Sequence, residues 1–127
     1  MPAPSTRREV LYGERVVDCF IDRPATLDAM FRKAVAQKPI GTALVLGDRR
    51  VSYAELDRVA ENIARNLIAA GFRQGERIAM LLGHCLEFMF CALGAGRAGL
   101  VVVPMNTRQR APEIDYVLKQ CGASALV

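Results

Sequence analysis

The chain has 127 residues, of which 52% are apolar and 24% charged, and a formal net charge of +4. This composition is that of a folded domain with one core and excludes a disordered chain. No apolar run reaches the about 18 residues needed to cross a bilayer, and the first eight residues have no apolar segment of a secretory signal. Glu9, Glu14 and Asp18 count against an acid-poor mitochondrial presequence. We therefore expect a cytoplasmic protein.

The cysteines and the surplus of cations have simple interpretations. None of the cysteines forms a C-x-x-C pair, so we expect four reduced, buried and inert thiols: Cys19, Cys85, Cys91 and Cys121. The cations form only short clusters, at Arg49–Arg50 and at 108–110. Solvated surface charge explains both clusters. A phosphate-bearing ligand stays open, but neither cluster contains a stacking aromatic side chain, so no nucleic-acid partner is expected.

The first half of the chain alternates short strands and helices. Residues 1–25 are predicted to form an N-terminal arm, with a short strand over 16–21 that ends at Pro24. Thr26 is a plausible cap for a helix with apolar residues at helical spacing up to Val35. Residues 43–51, with a Gly-Asp turn at 47–48, predict a β-hairpin.

A capping box predicts the next helix. The Ser52 hydroxyl can accept from the backbone N–H of Glu55, and the Glu55 carboxylate can accept from the N–H of Ser52. Gly71 is the expected left-handed stop. The predicted buried stripe of this helix consists of Leu56, Val59, Ala60, Ile63, Ala64, Leu67 and Ile68.

The second half predicts a parallel sheet. Apolar strands at 78–82, 100–103 and 123–127 alternate with a helix from about Leu86 to Arg97 and a helix that starts near Pro112. Such a series folds as right-handed βαβ units. The third strand would be left at an open edge, so we expect more chain to follow.

Two candidate sites have weak support. Residues 94–99 match G-x-G-x-x-G, but they close a helix and precede a strand, whereas a dinucleotide-binding loop follows a strand and opens a helix. The glycines are better explained by close packing of the helix on the sheet. His84 and Cys85 are sequence neighbours whose side chains point apart, so they are a poor catalytic dyad, and with Cys91 they lack the spacing and fourth ligand of a zinc site. His84 follows a strand at the end where open α/β sheets bind ligands, which makes it the most interesting single side chain.

Four segments together resemble the start of the adenylate-forming acid–CoA ligases. Residues 51–56 (VSYAEL) look like the [TS]-Y-x-E-L motif of that family, and 71–79 (GFRQGERIA) are similar to its Gly-rich turn and following strand. Residues 97–106 resemble K-A-G-A-x-x-x-P-[LI]-[ND], and 113–118 resemble the next helix. The similarity covers about residues 26–127. His84 stands where the family often has Asn, and Leu100 replaces the usual Ala.

The resemblance implies an α/β fold: an incomplete parallel-sheet βαβ segment of the large N-terminal domain, with an N-terminal arm over 1–25 and a short β-hairpin. It implies a parent enzyme that uses ATP, Mg and CoA to activate a small carboxylic acid as an acyl-adenylate and to transfer it to CoA. The phosphate loop, ribose-binding Asp and catalytic Lys of the family do not fall within 1–127. We therefore assign no catalytic, cofactor-binding or metal residue here, and expect this chain alone to be inactive and to bind none of these ligands tightly. Its expected partner is the remainder of the ligase N-terminal domain, and its oligomeric state is left open.

Three alternatives remain. A peptide-synthetase adenylation domain is the nearest, since it belongs to the same superfamily. A non-catalytic interaction module could use an open sheet edge to pair with another chain. A small dinucleotide-binding domain, resting on residues 94–99 alone, is the weakest.

Overall fold

The computed structural model describes residues 5–127, so the first four residues of the predicted arm lie outside the described part. The chain forms eleven elements within it. The strands are β1 (Thr6–Leu11), β2 (Arg15–Phe20), β3 (Thr42–Leu46), β4 (Arg49–Ser52), β5 (Arg77–Met80), β6 (Val101–Pro104) and β7 (Ala123–Leu126). The helices are α1 (Leu27–Gln37), α2 (Tyr53–Ala69), α3 (Leu86–Arg97) and α4 (Ala111–Cys121). The helix predicted from about Leu86 to Arg97 is confirmed with both ends correct.

The arm is more ordered than its sequence indicated. The strand predicted over 16–21 is β2, and it pairs antiparallel with β1, which the sequence did not predict. The two strands form a separate two-stranded sheet, here called the N-terminal ribbon. Glu9 joins the ribbon to the following segment, because its carboxylate accepts from Arg7 at 2.6 Å and from Arg23 at 2.5 Å. These hydrogen bonds, from Arg23 first and then from Arg7, lower the pKa of Glu9.

Helix α2 begins and ends largely as predicted. The Ser52 hydroxyl accepts from the N–H of Glu55 at 3.1 Å. The return bond of the capping box is not formed, since the Glu55 carboxylate makes no hydrogen bond to the Ser52 N–H in the described chain. At the other end Gly71 has φ 93°, and the N–H groups of Gly71 and Phe72 reach the carbonyls of Ile68 and Leu67 as in a Schellman motif. The predicted apolar stripe is correct except at Ile68, which is 58% exposed.

The predicted parallel sheet is confirmed, with strand order β6-β5-β7. Its middle strand, β5, has Ile78, Ala79 and Met80 buried, as expected of a strand covered on both faces. The outer strands are more open than predicted, because Val101 and Leu126 remain about half exposed. The chain moves from β5 to its neighbour β6 on one side of β5. It then crosses back past β5 to form β7 on the other side. Right-handed connections therefore place α3 and α4 on opposite faces of the sheet.

The core has two parts. One cluster lies between α1, α2, α3 and the β3–β4 hairpin and is built on Phe31, Val51, Leu56 and Leu86. The other joins the sheet to α2 and α3 through Ile78, Ala95 and Leu100. Helix α4 contributes no buried residue.

Helix α3 packs closely against α2. At Gly94 an added Cβ would lie 2.5 Å from Cγ2 and 2.6 Å from Cβ of Ile63 on α2, far inside normal contact distance. The small residues of α3 therefore serve close packing, as the sequence indicated. The partner at Gly94 was predicted wrongly, because the glycine meets helix α2 rather than the sheet.

The chain exposes an unusually large surface. Its accessible area is 9201 Å² for a mass of 13.9 kDa. A compact monomer of that mass exposes about 6,700 Å². The excess follows from the open faces of the sheet, α4 and the N-terminal ribbon.

Candidate functional site

A crevice lies at the carboxyl ends of β5 and β6. The segment after β5 leads to α3 on one face of the sheet and the segment after β6 leads to α4 on the other, so the two segments diverge. Such a reversal is where open α/β sheets place their ligand sites. The crevice measures about 280 Å³, the size of part of a small-molecule site. Its lining consists of Leu82, Gly83, His84, Phe88, Pro104, Met105, Asn106 and Thr107.

Backbone hydrogen bonds hold the two rims of the crevice. The N–H of Met105 donates to the carbonyl of Met80 at 2.9 Å, which extends the pairing of β5 and β6 to the crevice floor. The N–H of Cys85 donates to the carbonyl of Gly83 at 2.9 Å. This tight turn places His84 at the rim, where it is exposed in the loop that the sequence predicted.

The segment after β6 lines the crevice with the polar residues Asn106 and Thr107, and two arginines follow them in the chain, at 108 and 110. The Asn106 side chain accepts from the N–H of Arg108 at 3.0 Å, which folds the loop into a turn. Helix α4 follows at once, and the Glu113 carboxylate accepts from the N–H of Arg110 at 2.7 Å. Among the ion pairs of residues 5–127, none involves Arg108 or Arg110. These guanidinium groups are therefore available to an anion.

The side chains of His84 and Cys85, which the sequence analysis weighed as a poor dyad, are not in contact through a hydrogen bond in the described residues. The Cys85 side chain also does not cap α3. No group of three His, Cys, Asp or Glu side chains in residues 5–127 could hold a metal ion. All four cysteines are free and half-buried, which is less burial than the sequence indicated. Burial raises the pKa of the Cys91 thiol, with smaller contributions from Cys85 and Glu87.

The glycines of residues 94–99 lie away from the crevice. The carbonyl of Gly99 accepts from the N–H of Gly75 at 2.9 Å, just before β5 begins. This contact is at the amino end of the sheet, opposite the ligand-binding edge. The location agrees with a packing role for these glycines and gives no support to a dinucleotide site.

A buried arginine was missed by sequence reasoning. The Arg97 side chain at the end of α3 is only 5% exposed and is surrounded by carboxylates of α1 and α2. It donates to Asp28 at 2.8 Å, to Asp57 at 2.6 Å and to Glu61 at 3.2 Å. Arg32 adds a second cation, 2.8 Å from Asp28. We call Arg97, Arg32 and these three carboxylates the Arg97 cluster. The only feature of the sequence that could have indicated this buried cation is a lone arginine at the end of an apolar helix.

The pKa of Asp28 makes the Arg97 cluster sensitive to acid. Desolvation would raise this pKa, but the hydrogen bonds from Arg97 and Arg32 outweigh it and lower the pKa below its ordinary value. A carboxylate with a lowered pKa stabilises the fold above its unfolded pKa of about 3.9, and this contribution is lost as the pH falls through the folded value. We expect Asp28→Asn to cost about 1–2 kcal/mol at pH 7 and progressively less below about pH 4.

Urea unfolding of both proteins between pH 7 and pH 3 measures this effect. Asp48→Asn, in the exposed β3–β4 turn, is the matched control and should change stability little at any pH. A difference between wild type and Asp28→Asn that stays constant with pH would contradict the assignment.

The fold and the crevice define a class of protein: a parallel α/β unit with a crevice at the carboxyl ends of two neighbouring strands, where the connections after these strands lead to opposite faces of the sheet. Comparison with known proteins gives the family. The family model described as "AMP-binding enzyme" matches residues 31–127, and the chain belongs to this family. No helix in the described part of the chain combines the length and apolarity needed to cross a membrane.

The similar proteins are acid–CoA ligases and an adenylation enzyme. Over 80 residues, or 63% of this chain, it is 36% identical to the long-chain-fatty-acid–CoA ligase FadD13 of Mycobacterium tuberculosis, and it spans 16% of that protein. It is 39% identical to a feruloyl-CoA synthase of Amycolatopsis over 89 residues, 70% of this chain and 18% of that protein. The chain thus spans less than a fifth of the length of these relatives.

Solved structures agree with the fold. The inhibitor-bound N-terminal domain of FACL13 from Mycobacterium tuberculosis aligns with a TM-score of 0.75 at 33% identity, over 80% of this chain and 26% of that one. The N-terminal subdomain of NpsA from Klebsiella oxytoca, in complex with 3-hydroxyanthranilyl-AMSN, aligns with a TM-score of 0.77 at 25% identity over 80% of this chain and 26% of that one. The predicted incomplete α/β segment of an adenylate-forming N-terminal domain is confirmed.

Proposed function

We propose that this chain is part of an AMP-forming acid–CoA ligase. The observation that carries the proposal is the family match over residues 31–127, together with relatives that are acid–CoA ligases. In the proposed reaction the substrate carboxylate attacks the α-phosphorus of ATP and pyrophosphate leaves. The thiol of CoA then attacks the acyl carbon and AMP leaves. Residues 26–127 would be the opening part of the N-terminal subdomain, and residues 1–25 an appended element.

The crevice is the part of this chain placed to meet a ligand. ATP and CoA both carry phosphates, and Arg108 and Arg110 are cations on the crevice side of the sheet without a carboxylate partner in the described residues. Guanidinium groups pair with phosphate through strong, charge-assisted hydrogen bonds. We assign these residues a binding role and no catalytic role. The sequence had assigned no cofactor-binding residue, and Arg108 is the candidate that the fold adds.

The carboxylates of the chain do not suit the Mg ion that such a reaction uses. The acidic side chains that converge, Asp28, Asp57 and Glu61, already surround Arg97 and Arg32. These two guanidinium groups would repel a further cation there. We therefore assign no Mg ligand to this chain and derive no step through the metal.

The remainder of the ligase is the proposed partner of the open surfaces. Tyr116 on α4 and Leu126 on β7 are large apolar residues left exposed, and the buried side-chain oxygen of Gln109 has no hydrogen-bond partner in the described chain. A neighbouring part of the same enzyme would cover the apolar residues and donate to Gln109. A cytoplasmic location remains our proposal.

Acid-dependent exchange of pyrophosphate into ATP tests the function directly. The full-length protein would be assayed with a panel of carboxylic acids, and CoA-dependent AMP release would then be measured with the acids that respond. Exchange followed by CoA-dependent AMP release supports the proposal. Absence of exchange with every acid class, in a folded protein, would overturn it. Residues 1–127 alone are expected to show no turnover.

A peptide-synthetase-type adenylation enzyme is the second candidate. The NpsA likeness favours it, as does 33% identity to malpibaldin synthetase of Mortierella alpina over 98 residues. Acid-dependent exchange without transfer to CoA, but with transfer to a phosphopantetheine carrier protein, would select this candidate.

Replacing Arg108 tests the proposed role of the crevice. We expect Arg108→Ala to raise the KM for ATP or CoA about tenfold, the equivalent of one charge-assisted phosphate contact, with kcat little changed. Arg50→Ala, in the exposed β4 strand, is the control and should leave both constants unchanged. A normal KM for both ATP and CoA in the Arg108→Ala enzyme would show that Arg108 is not part of the binding site.

A further inference from the structure

Phe88 is the residue through which helix α3 lines the crevice. Its ring is half-buried and borders the crevice of about 280 Å³. It also borders a second cavity, of about 290 Å³, which Leu44 and Leu46 of β3 help to line. A side chain in a filled core is held in place by its neighbours. Within the described chain Phe88 adjoins two open spaces instead, so the position of its ring depends on how α3 itself is held.

The apolar contacts of α3 do not by themselves fix its rotation. The buried residues of this helix are Leu86, Gly94 and Ala95, all without polar side chains. Contacts between apolar groups are non-directional and tolerate a small rotation or slide of the helix. At the end next to Phe88, the Cys85 side chain makes no capping hydrogen bond. The end of α3 at the crevice therefore lacks a side-chain cap that would set the rotation.

Arg97 provides directional contacts at the opposite end of α3. Its Nε donates to Asp28 on α1 at 2.8 Å, and its two Nη atoms donate to α2. The α2 acceptors are the carboxylate and the backbone carbonyl of Asp57, at 2.6 and 3.1 Å, and the Glu61 carboxylate, at 3.2 Å. The guanidinium group is planar and rigid, and hydrogen bonds weaken steeply when they are bent. Contacts from all three nitrogens to two other helices therefore fix the rotation of α3 about its axis.

A change of rotation at Arg97 reaches Phe88 because one continuous helix joins them. The two residues are nine positions apart, about two and a half turns and about 13 Å along the axis, on opposite faces of α3. A rotation by about 10° moves a side chain that lies about 6 Å from the axis by about 1 Å. A displacement of this size within a site is enough to weaken its function strongly.

We infer that Arg97 is a positioning residue for the crevice. It fixes the rotation of α3 and thereby the place of the Phe88 ring against the ligand. Arg97 itself is buried between helices and touches no ligand. The inference rests on the proposed function, because the place of the Phe88 ring affects binding only if a ligand of the ligase occupies the crevice.

Replacing the guanidinium fork without removing its charge tests the inference kinetically. In the full-length protein, Arg97→Lys keeps a cation among the carboxylates but offers one nitrogen in place of three. We expect the KM for ATP or CoA to rise about three- to tenfold, with kcat changed less than about twofold. A residue that only stabilises the fold would instead lower the fraction of active enzyme, and hence the apparent kcat, and leave KM unchanged. Urea unfolding followed by circular dichroism checks that the variant is folded under the assay conditions.

A double-mutant cycle with Phe88 shows whether Arg97 acts through this ring. Mutations at sites this far apart are normally additive. Once Phe88→Ala has removed the ring, Arg97→Lys should change KM by less than about 1.5-fold. Arg32→Lys is the matched control, because Arg32 belongs to the same cluster but is 55% exposed, and it should leave KM unchanged in either background. An unchanged KM in Arg97→Lys, or independent effects of Arg97→Lys and Phe88→Ala, would overturn the inference.

A spectroscopic measurement separates this inference from the ligase activity. With 4-fluorophenylalanine incorporated at position 88, the ¹⁹F resonance reports the surroundings of the ring without any turnover. Arg97→Lys should shift this resonance and Arg32→Lys should not. A resonance that Arg97→Lys leaves in place would overturn the positioning role even in an active enzyme. Absence of acid-dependent exchange in the wild type would contradict the proposed function instead, and the resonance would still decide whether Arg97 positions Phe88.

Discussion

Arg97→Met is expected to lower the free energy of unfolding by about 2–3 kcal/mol, less than the cost of breaking a fully buried ion pair because its carboxylate partners are partly exposed. Arg97 is the group on which α1, α2 and α3 converge through Asp28, Asp57 and Glu61. Its guanidinium also lies 5.9 Å from the centre of the Phe31 ring, at the edge of the α1–α2 core. Met preserves most of the apolar stem but leaves Asp57 without a cation in the described chain, and Asp28 and Glu61 with Arg32 alone. Urea unfolding followed by circular dichroism measures the loss.

A second arginine of the same cluster is the control. Arg32 also contacts Asp28 and Glu61, but its side chain is 55% exposed. Water screens such a pair, so Arg32→Met should cost less than about 1 kcal/mol. Equal losses for Arg97→Met and Arg32→Met would show that burial does not distinguish the two arginines. The result bears on function, because α3 runs from the crevice at Leu86 to the cluster at Arg97 and is held at that far end.

Gly94→Ala is expected to cost about 2–3 kcal/mol, the upper part of the range for overpacking. The new methyl group would lie 2.5 Å from Ile63 Cγ2 and 3.2 Å from the carbonyl oxygen of Ala60. Ile63 is half-buried and can yield in part, but the backbone carbonyl cannot. Helices α2 and α3 must therefore separate slightly, and α3 shifts on the sheet. Thermal and urea unfolding of the variant measure the cost.

The same substitution two residues along the helix provides the control. Nothing lies within 4 Å of a Cβ added at Gly96, and alanine has the higher helix propensity. Gly96→Ala should therefore be neutral or stabilise the protein by up to about 1 kcal/mol. Destabilisation by both substitutions would point to the helix itself rather than to contact with α2.

The local elements were predictable because short-range chemistry specifies them. Thr26 and Ser52 accept hydrogen bonds at the starts of α1 and α2, and Gly71 adopts the left-handed conformation that ends α2. The helix and strand alternation after residue 77 predicted the parallel sheet. The predictions failed where burial depended on distant partners. Ile68 continues the apolar stripe of α2 but extends past the surface that the stripe covers.

Of the residues that line the candidate site, the sequence analysis singled out only His84. His84 was singled out because it follows a strand at the ligand edge, and it lies on the rim of the crevice. Asn106 and Thr107 join it from a second segment more than twenty residues away. A motif search treats these segments separately. The two segments form one site only in the folded sheet. There the carboxyl ends of β5 and β6 lie side by side, and the segments after them lead to opposite faces of the sheet.

The sequence by itself determined the boundaries of the helices, the βαβ order and the resemblance to adenylate-forming ligases that the family match confirmed. Each of these depends on residues close in the chain: caps, periodic apolar positions and ordered short motifs. Only the tertiary structure decided the pairing of β1 with β2, the approach of Gly94 to α2 and the convergence of three carboxylates on Arg97. The contacts of Gly94 and Arg97 join residues far apart in the chain, up to 69 positions for Arg97 and Asp28. Their energies depend on burial and distance, which local sequence patterns do not encode.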